Sequence, residues 1–179
     1  MQSPFDILKE YESRGNNRIL SPVERAEPQG VWRGIGYRVG QKYLVSPYKE
    51  VVEITRLPDI TPVLGAQPWM AGLCNLNGEL YPVVSLPTFL GESPVPLHPG
   101  QRVLVMDRGE GERDIILVVD EILGHRSFID TQMSTPSALF EGRMAPFVLH
   151  TFSRDGMEWG VFSLSQLSTH PSFQSASAL

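Results

Sequence analysis

The 179 residues carry a net charge of −5 and 41% hydrophobic side chains, a balance that fits one compact domain or two small lobes over a shared core and argues against disorder throughout. The twelve arginines and three lysines are scattered singly, so no basic stripe exists to neutralise successive phosphates and nucleic acid is not an expected partner. One cysteine, Cys74, excludes an internal disulfide and a multi-cysteine zinc site, in keeping with a reducing compartment. The longest apolar run, residues 115–119, is far shorter than the roughly 20 residues of a membrane helix, and no basic segment precedes an apolar leader core. A cytoplasmic location without direct membrane insertion is expected.

In chain order, Ser3 can cap a helix whose first turn holds Pro4 and whose apolar stripe holds Phe5 and Leu8, which predicts a short amphipathic helix over residues 4–13. Gly15, Asn16 and Asn17 stop it, and residues 21–30 read as an exposed linker. From Trp32 the period becomes two: Ile35, Tyr37 and Val39 alternate with Gly34, Gly36 and Arg38, the pattern of a half-buried strand. Gly40 and Gln41 turn the chain into a return arm at residues 42–45. Residues 51–56 form a further strand in which Val52 and Ile54 share the packed face while Val51 and Glu53 face out.

Residues 81–86 are a strand candidate, with Pro82 arguing for an edge or a strand start. Short helical turns are expected at residues 68–73, 86–90 and 132–142, and residues 91–100, with three prolines, read as a surface connector between two β lobes. Residues 102–106 and 115–119 are β-branched runs joined by a polar loop, which predicts a buried hairpin. Residues 147–152 and 159–164 flank Asp155 and Gly156, a stronger hairpin signal because Asp-Gly favours positive torsions. Nine or ten short strands separated by turns indicate a sandwich or small barrels.

Catalytic and metal chemistry find little support. Glycines 34, 36 and 40 do not match the dinucleotide spacing, and close strand approach explains them better. Cys74 lies in an apolar stretch and reads as a buried thiol. His98, His125, His150 and His170 are not spaced for one helix face or hairpin, so no metal and no cofactor is expected. Asp120 and Glu121 are adjacent on a strand end and point to opposite faces, which leaves one carboxylate facing a partner. The competing reading is a small β-barrel enzyme or ligand carrier with a pocket near Cys74 or His150.

Residues 47–91 carry an ordered motif: Val51, Val52, Glu53 and Ile54, then Thr61 and Pro62, then Trp69, Gly72, Asn75, Leu76 and Gly78, and finally Pro82, Val83, Val84 and Leu86. This pattern resembles the core of the CheW family, the coupling proteins that join chemoreceptors to a histidine kinase. The similarity runs over residues 32–167, through ILVVDEI at residues 116–122 and the closing segment 159–167. The N-terminal extension and the WRGIGYRVG segment are closer to family members serving type IV pilus twitching motility than to the shorter flagellar coupling protein.

The resemblance implies a mainly β fold of two SH3-like five-stranded barrels with a groove between them, here preceded by a short N-terminal helix. On that basis residues 1–30 are a helix and linker, 31–170 the domain, and 171–179 a tail. It further implies a non-enzymatic adaptor whose partners are a chemoreceptor's cytoplasmic tip and the regulatory domain of a CheA-type kinase, recruited to membrane receptor arrays. The expected contact residues are Val51, Glu53, Gly72, Asn75, Asn77, Gly78 and Asp120. Gly72 and Gly78 are explained equally well by turn geometry and by close approach of a partner backbone. The motif's arginine is Asn77 here, which removes any ion pair with Glu53, and its aspartate and following arginine are Ser85 and Pro87.

Overall fold

The computed structural model describes residues 30–94, 96–109 and 112–176. The helix expected at residues 4–13 and nearly all of the 21–30 linker lie outside the described residues. The chain parts into two units, Met1–Val31 and Trp32–Leu179, and every element below belongs to the second apart from the first residue of β1.

The order is β1 (Val31–Val39), β2 (Lys42–Pro47), a 3-10 turn (Tyr48–Glu50), β3 (Val51–Arg56), β4 (Ile60–Thr61), β5 (Met70–Leu76), β6 (Glu79–Ser85), α1 (Leu86–Phe89), β7 (Arg102–Met106) and β8 (Ile115–Val118). Then come β9 (Glu121–Ile129), β10 (Met133–Ser134), β11 (Val148–Arg154), β12 (Met157–Phe162), α2 (Leu164–Thr169) and α3 (Pro171–Gln174). The expected hairpins at β1–β2, β7–β8 and β11–β12 all form as antiparallel pairs. The helical turn expected at residues 68–73 is instead the start of β5, and the one at 132–142 is β10 followed by a 3-10 turn at Ala138–Phe140. Partner strands on either side of Met70–Leu76 satisfy its backbone in a way that local composition does not reveal.

Two six-stranded sheets result. A terminal sheet, built from both ends of the unit, runs β10-β11-β12-β2-β1-β9, and a central sheet runs β3-β7-β8-β6-β5-β4. Parallel pairs lock each together at long range, β12 on β2 and β6 on β8. Neither sheet has five strands, and no ladder closes either into a ring among the described residues. Residues 91–100 do not connect lobes, because β6 and β7 both belong to the central sheet. The crossings between sheets are the Tyr48–Glu50 turn and residues 119–120.

Each sheet buries two faces. A shared core between them gathers Ile35, Tyr37, Leu44, Leu104, Leu117 and Phe162 with residues of both sheets. The central sheet alone encloses a second core of Leu57, Cys74, Val83, Val103, Val105, Ile116 and Val118. The terminal sheet alone encloses a third, of Val45, Phe128, Phe152, Trp159 and Val161. A sheet buries its far face against itself only by curling, so both sheets are strongly coiled. Pro82 fits within an interior strand because the pairing of β6 with β8 begins at Val83, leaving Pro82 one neighbour only. Beyond residue 170, where a tail was expected, α3 buries Phe173 and stacks it on Trp69 at 5.5 Å.

Polar groups inside the shared core are joined in series. Tyr37 Oη donates to Ser46 Oγ at 2.8 Å, since Ser46 Oγ itself donates to the Phe162 carbonyl at 2.7 Å. The chain crosses β1, β2 and β12. Burial pushes the Tyr37 phenol far above its ordinary value of 10.0, with the Ser46 bond opposing and the Glu50 charge adding. The native state therefore holds the neutral phenol while the unfolded chain ionises near 10.0. The stability from this group is complete below that pH and is lost as pH rises above it. Urea unfolding between about pH 8 and about pH 11 should show Tyr37→Phe removing up to about 1.4 kcal/mol per pH unit of alkaline slope.

Candidate functional site

β3 opens with two valines, and only one follows the ladder. Val51 pairs with Met106 and Glu53 with Val105, so Val52 is a bulged residue. A bulge shifts alternation by one place. Val51 and Ile54 pack on the shared core, whereas Val52 is 55% exposed and Glu53 is exposed beside it. The sequence alternation put Val52 inward and Val51 outward, and the structure reverses the two.

At the other end of the central sheet, β5 and β6 form a hairpin closed by Asn77 and Gly78, with Leu76 opposite Glu79. Both turn residues are left-handed, with φ 54 at Asn77 and φ 90 at Gly78, the torsions that an Asn-Gly hairpin turn requires. Asn75 Oδ1 accepts from the Gly78 N–H at 2.9 Å. Asn77 therefore suits a tight turn in which an arginine would be strained. Ser85 likewise has a local task, its Oγ accepting from the Thr88 N–H to cap α1, with Pro87 in the first turn.

Gly72 is not at a surface. It is buried, and a Cβ there would lie 2.3 Å from the Thr61 carbonyl oxygen and 2.6 Å from Ile60 Cγ2. The glycine exists to admit β4. Asp120 is also engaged: its Oδ2 accepts from the Gly40 N–H at 2.8 Å, and its own N–H donates to the Arg38 carbonyl at 3.1 Å. It ties the crossing between sheets to the β1–β2 turn. Glu50 does similar work at the other crossing, where its carboxylate accepts from the Leu164 N–H at 2.6 Å and the Ser165 N–H at 3.3 Å at the start of α2. No motif pointed to Glu50.

The seven expected contact residues therefore divide. Glu53, Asn75, Asn77 and Gly78 are exposed, Val51 and Gly72 shape the strands behind them, and Asp120 lies apart at the crossing. β3 and β6 are not neighbours in strand order, yet the Glu53 charge on β3 acts on Tyr81 of β6. Desolvation, a hydrogen bond to Glu79 and the charges of Glu79, Asp114 and Glu53 all raise that phenol's pKa. Motif reading missed two exposed apolar side chains, Leu80 beside Tyr81 on β6 at 51% and Leu64 in the loop between β4 and β5 at 99%. Val63 and Leu64 follow the Thr61-Pro62 turn, and an apolar pair just after a turn is the signal that could have found them.

Cys74 is sealed in the central sheet's own core, and burial raises its thiol pKa, which disfavours the thiolate. His150 is exposed on β11 of the other sheet. No cluster of three His, Cys, Asp or Glu side chains suited to a metal occurs among the described residues, and no helix there is long and apolar enough to cross a membrane.

The CheW-like domain matches residues 33–172 of this chain. Protein PilI of Pseudomonas aeruginosa is 32% identical over 175 residues, covering 97% of this chain and 96% of PilI. Among solved structures, the scaffolding protein TtCheW of Thermoanaerobacter tengcongensis superposes with a TM-score of 0.63 at 16% identity, over 74% of this chain and 89% of that one. The domain match takes in all twelve strands except the first two residues of β1, and the PilI alignment runs nearly end to end. By that extent of agreement, the chain belongs to the CheW-like domain family.

Proposed function

We propose that this protein is a non-enzymatic coupling scaffold that holds a chemoreceptor's cytoplasmic tip beside the regulatory domain of a CheA-type histidine kinase, in the pathway controlling type IV pilus twitching motility. The observation that carries the reading is the 32% identity to PilI across almost the whole of both chains. Each curled sheet then corresponds to an SH3-like barrel, and the protein works in the cytoplasm at membrane receptor arrays. Val52, Glu53, Asn75, Asn77 and Gly78 supply the contact surface, Val51 and Gly72 hold its backbone, and Asp120 fixes the crossing behind it. Individually weak contacts add in an array through effective concentration, so receptor state reaches the kinase through shared interfaces.

The purified protein should co-elute at micromolar concentration with a receptor signalling tip and with a kinase regulatory domain; failure with both would end the proposal. Cys74→Ala and His150→Ala should leave both interactions unchanged, Cys74→Ala costing stability of about 1 kcal/mol from the lost buried volume. An enzyme or carrier built around those side chains would lose its function in the same variants.

A further inference from the structure

The terminal sheet builds a cavity outside the contact surface proposed above. β9 and the β11–β12 pair are far apart in its strand order, yet the Phe128 and Phe152 rings stack at 4.7 Å and Arg154 Nη1 donates to the Ser127 carbonyl at 2.8 Å. The sheet has curled until these strands touch. At that mouth lies a cavity of about 490 Å³ walled by His125, Arg126, Ser127, Arg154, Asp155 and Trp159. Mouths of curled sheets are frequent ligand sites, and this volume is one that small ligands fill.

The wall carries two guanidiniums and an imidazole against one carboxylate, and Asp155 is already paired with Arg154 at 3.4 Å. Arg126 has no ion-pair partner among the described residues. Its Nη1 donates to the His125 carbonyl at 2.9 Å, and its guanidinium lies over the Trp159 ring at 5.4 Å. An arginine held by a π face and one carbonyl keeps further donors in reserve. Trp159 is 4% exposed, so its ring is a fixed floor beneath the Arg126 guanidinium.

We propose that this mouth binds a phosphate-bearing anion, its oxygens held by the guanidiniums of Arg126 and Arg154. A carboxylate presents two oxygens in one plane, whereas two guanidiniums carried by β9 and by the end of β11 suit the three oxygens of a phosphoryl group. Orthophosphate and phosphomonoesters share that head, and the cavity leaves room for an organic body. The site is independent of the coupling surface, so its failure would leave the coupling reading standing.

The test is a titration of the full chain with inorganic phosphate and, separately, with AMP at constant ionic strength, following the Trp159 indole N–H signal by NMR. The expected result is a saturable shift of that signal with at least one probe while the Trp69 signal stays in place. Tighter binding of AMP identifies a phosphomonoester, and equal or tighter binding of phosphate identifies the free ion. R126Q should weaken binding about tenfold or more, the loss of a charge-assisted pair. R126K and R154K retain the charge but lose the fork, and each should fall between wild type and R126Q, which keeps the test valid if R126Q folds poorly. The proposal is overturned by no saturable shift with either probe, by the same shift with chloride, or by affinity unchanged in R126K and R154K.

Discussion

Gly72→Ala is expected to cost the protein its central sheet, whereas Gly78→Ala is expected to leave it folded. The two glycines look interchangeable in the motif, but a Cβ at Gly72 would sit 2.3 Å from the Thr61 carbonyl oxygen, while one at Gly78 meets nothing within 4 Å. Backbone cannot swing aside as a flexible side chain can, so Gly72→Ala must push β4 off β5 as well as strain a φ of +147. A loss of about 3 kcal/mol or more is expected, a large part of a small domain's stability. Gly78→Ala carries only the left-handed strain, about 1–2 kcal/mol. Urea unfolding of both variants measures the difference. Once it is known, lost partner binding in Gly78→Ala reports a contact, and in Gly72→Ala it reports a collapsed strand. Equal stability of the two variants would show that β4 can yield.

How far the fold could be read depended on whether each signal was local. Trp32 to Val39 alternates cleanly because one side faces a core and the other is thinned by glycine: a Cβ at Gly34 would lie 2.2 Å from the Ser46 carbonyl oxygen. Asp155 and Gly156 marked their hairpin because both adopt positive φ. β9 escaped notice because Gly124, His125 and Arg126 interrupt its alternation, and only its place beside β1 makes it a strand. The division into lobes was misplaced for a related reason. Prolines made residues 91–100 conspicuous, while the true crossings are a three-residue turn and a two-residue step too short to stand out. Asn77 read as a lost ion pair, and its torsion shows that it answers the needs of the turn. The exposed half of the candidate surface was legible from the motif, but the direction in which each β3 side chain points was not, since a bulge has no signature in Val-Val-Glu.

That bulge yields the most discriminating variant pair. Val52→Asp should weaken binding to at least one of the two proposed partners by about thirtyfold or more, the loss expected when an interface anchor is replaced by an unpaired charge. Its unfolding midpoint should move little, because Val52 is 55% exposed and stands out of the ladder, so that strand propensity alone is at stake, about 1 kcal/mol at most. Val51→Asp should do the reverse in origin: it drives a carboxylate against the shared core, destabilises the fold by about 2–4 kcal/mol, and loses binding only in proportion to the unfolded fraction. Isothermal titration against the receptor tip and the kinase regulatory domain, paired with urea unfolding, separates the two effects. If Val52→Asp binds both partners as wild type does, the surface at β3 is not the contact, and the exposed Leu64 and Leu80 become the place to look. If Val51→Asp proves as stable as wild type, the two valines have exchanged faces and the bulge is wrongly placed.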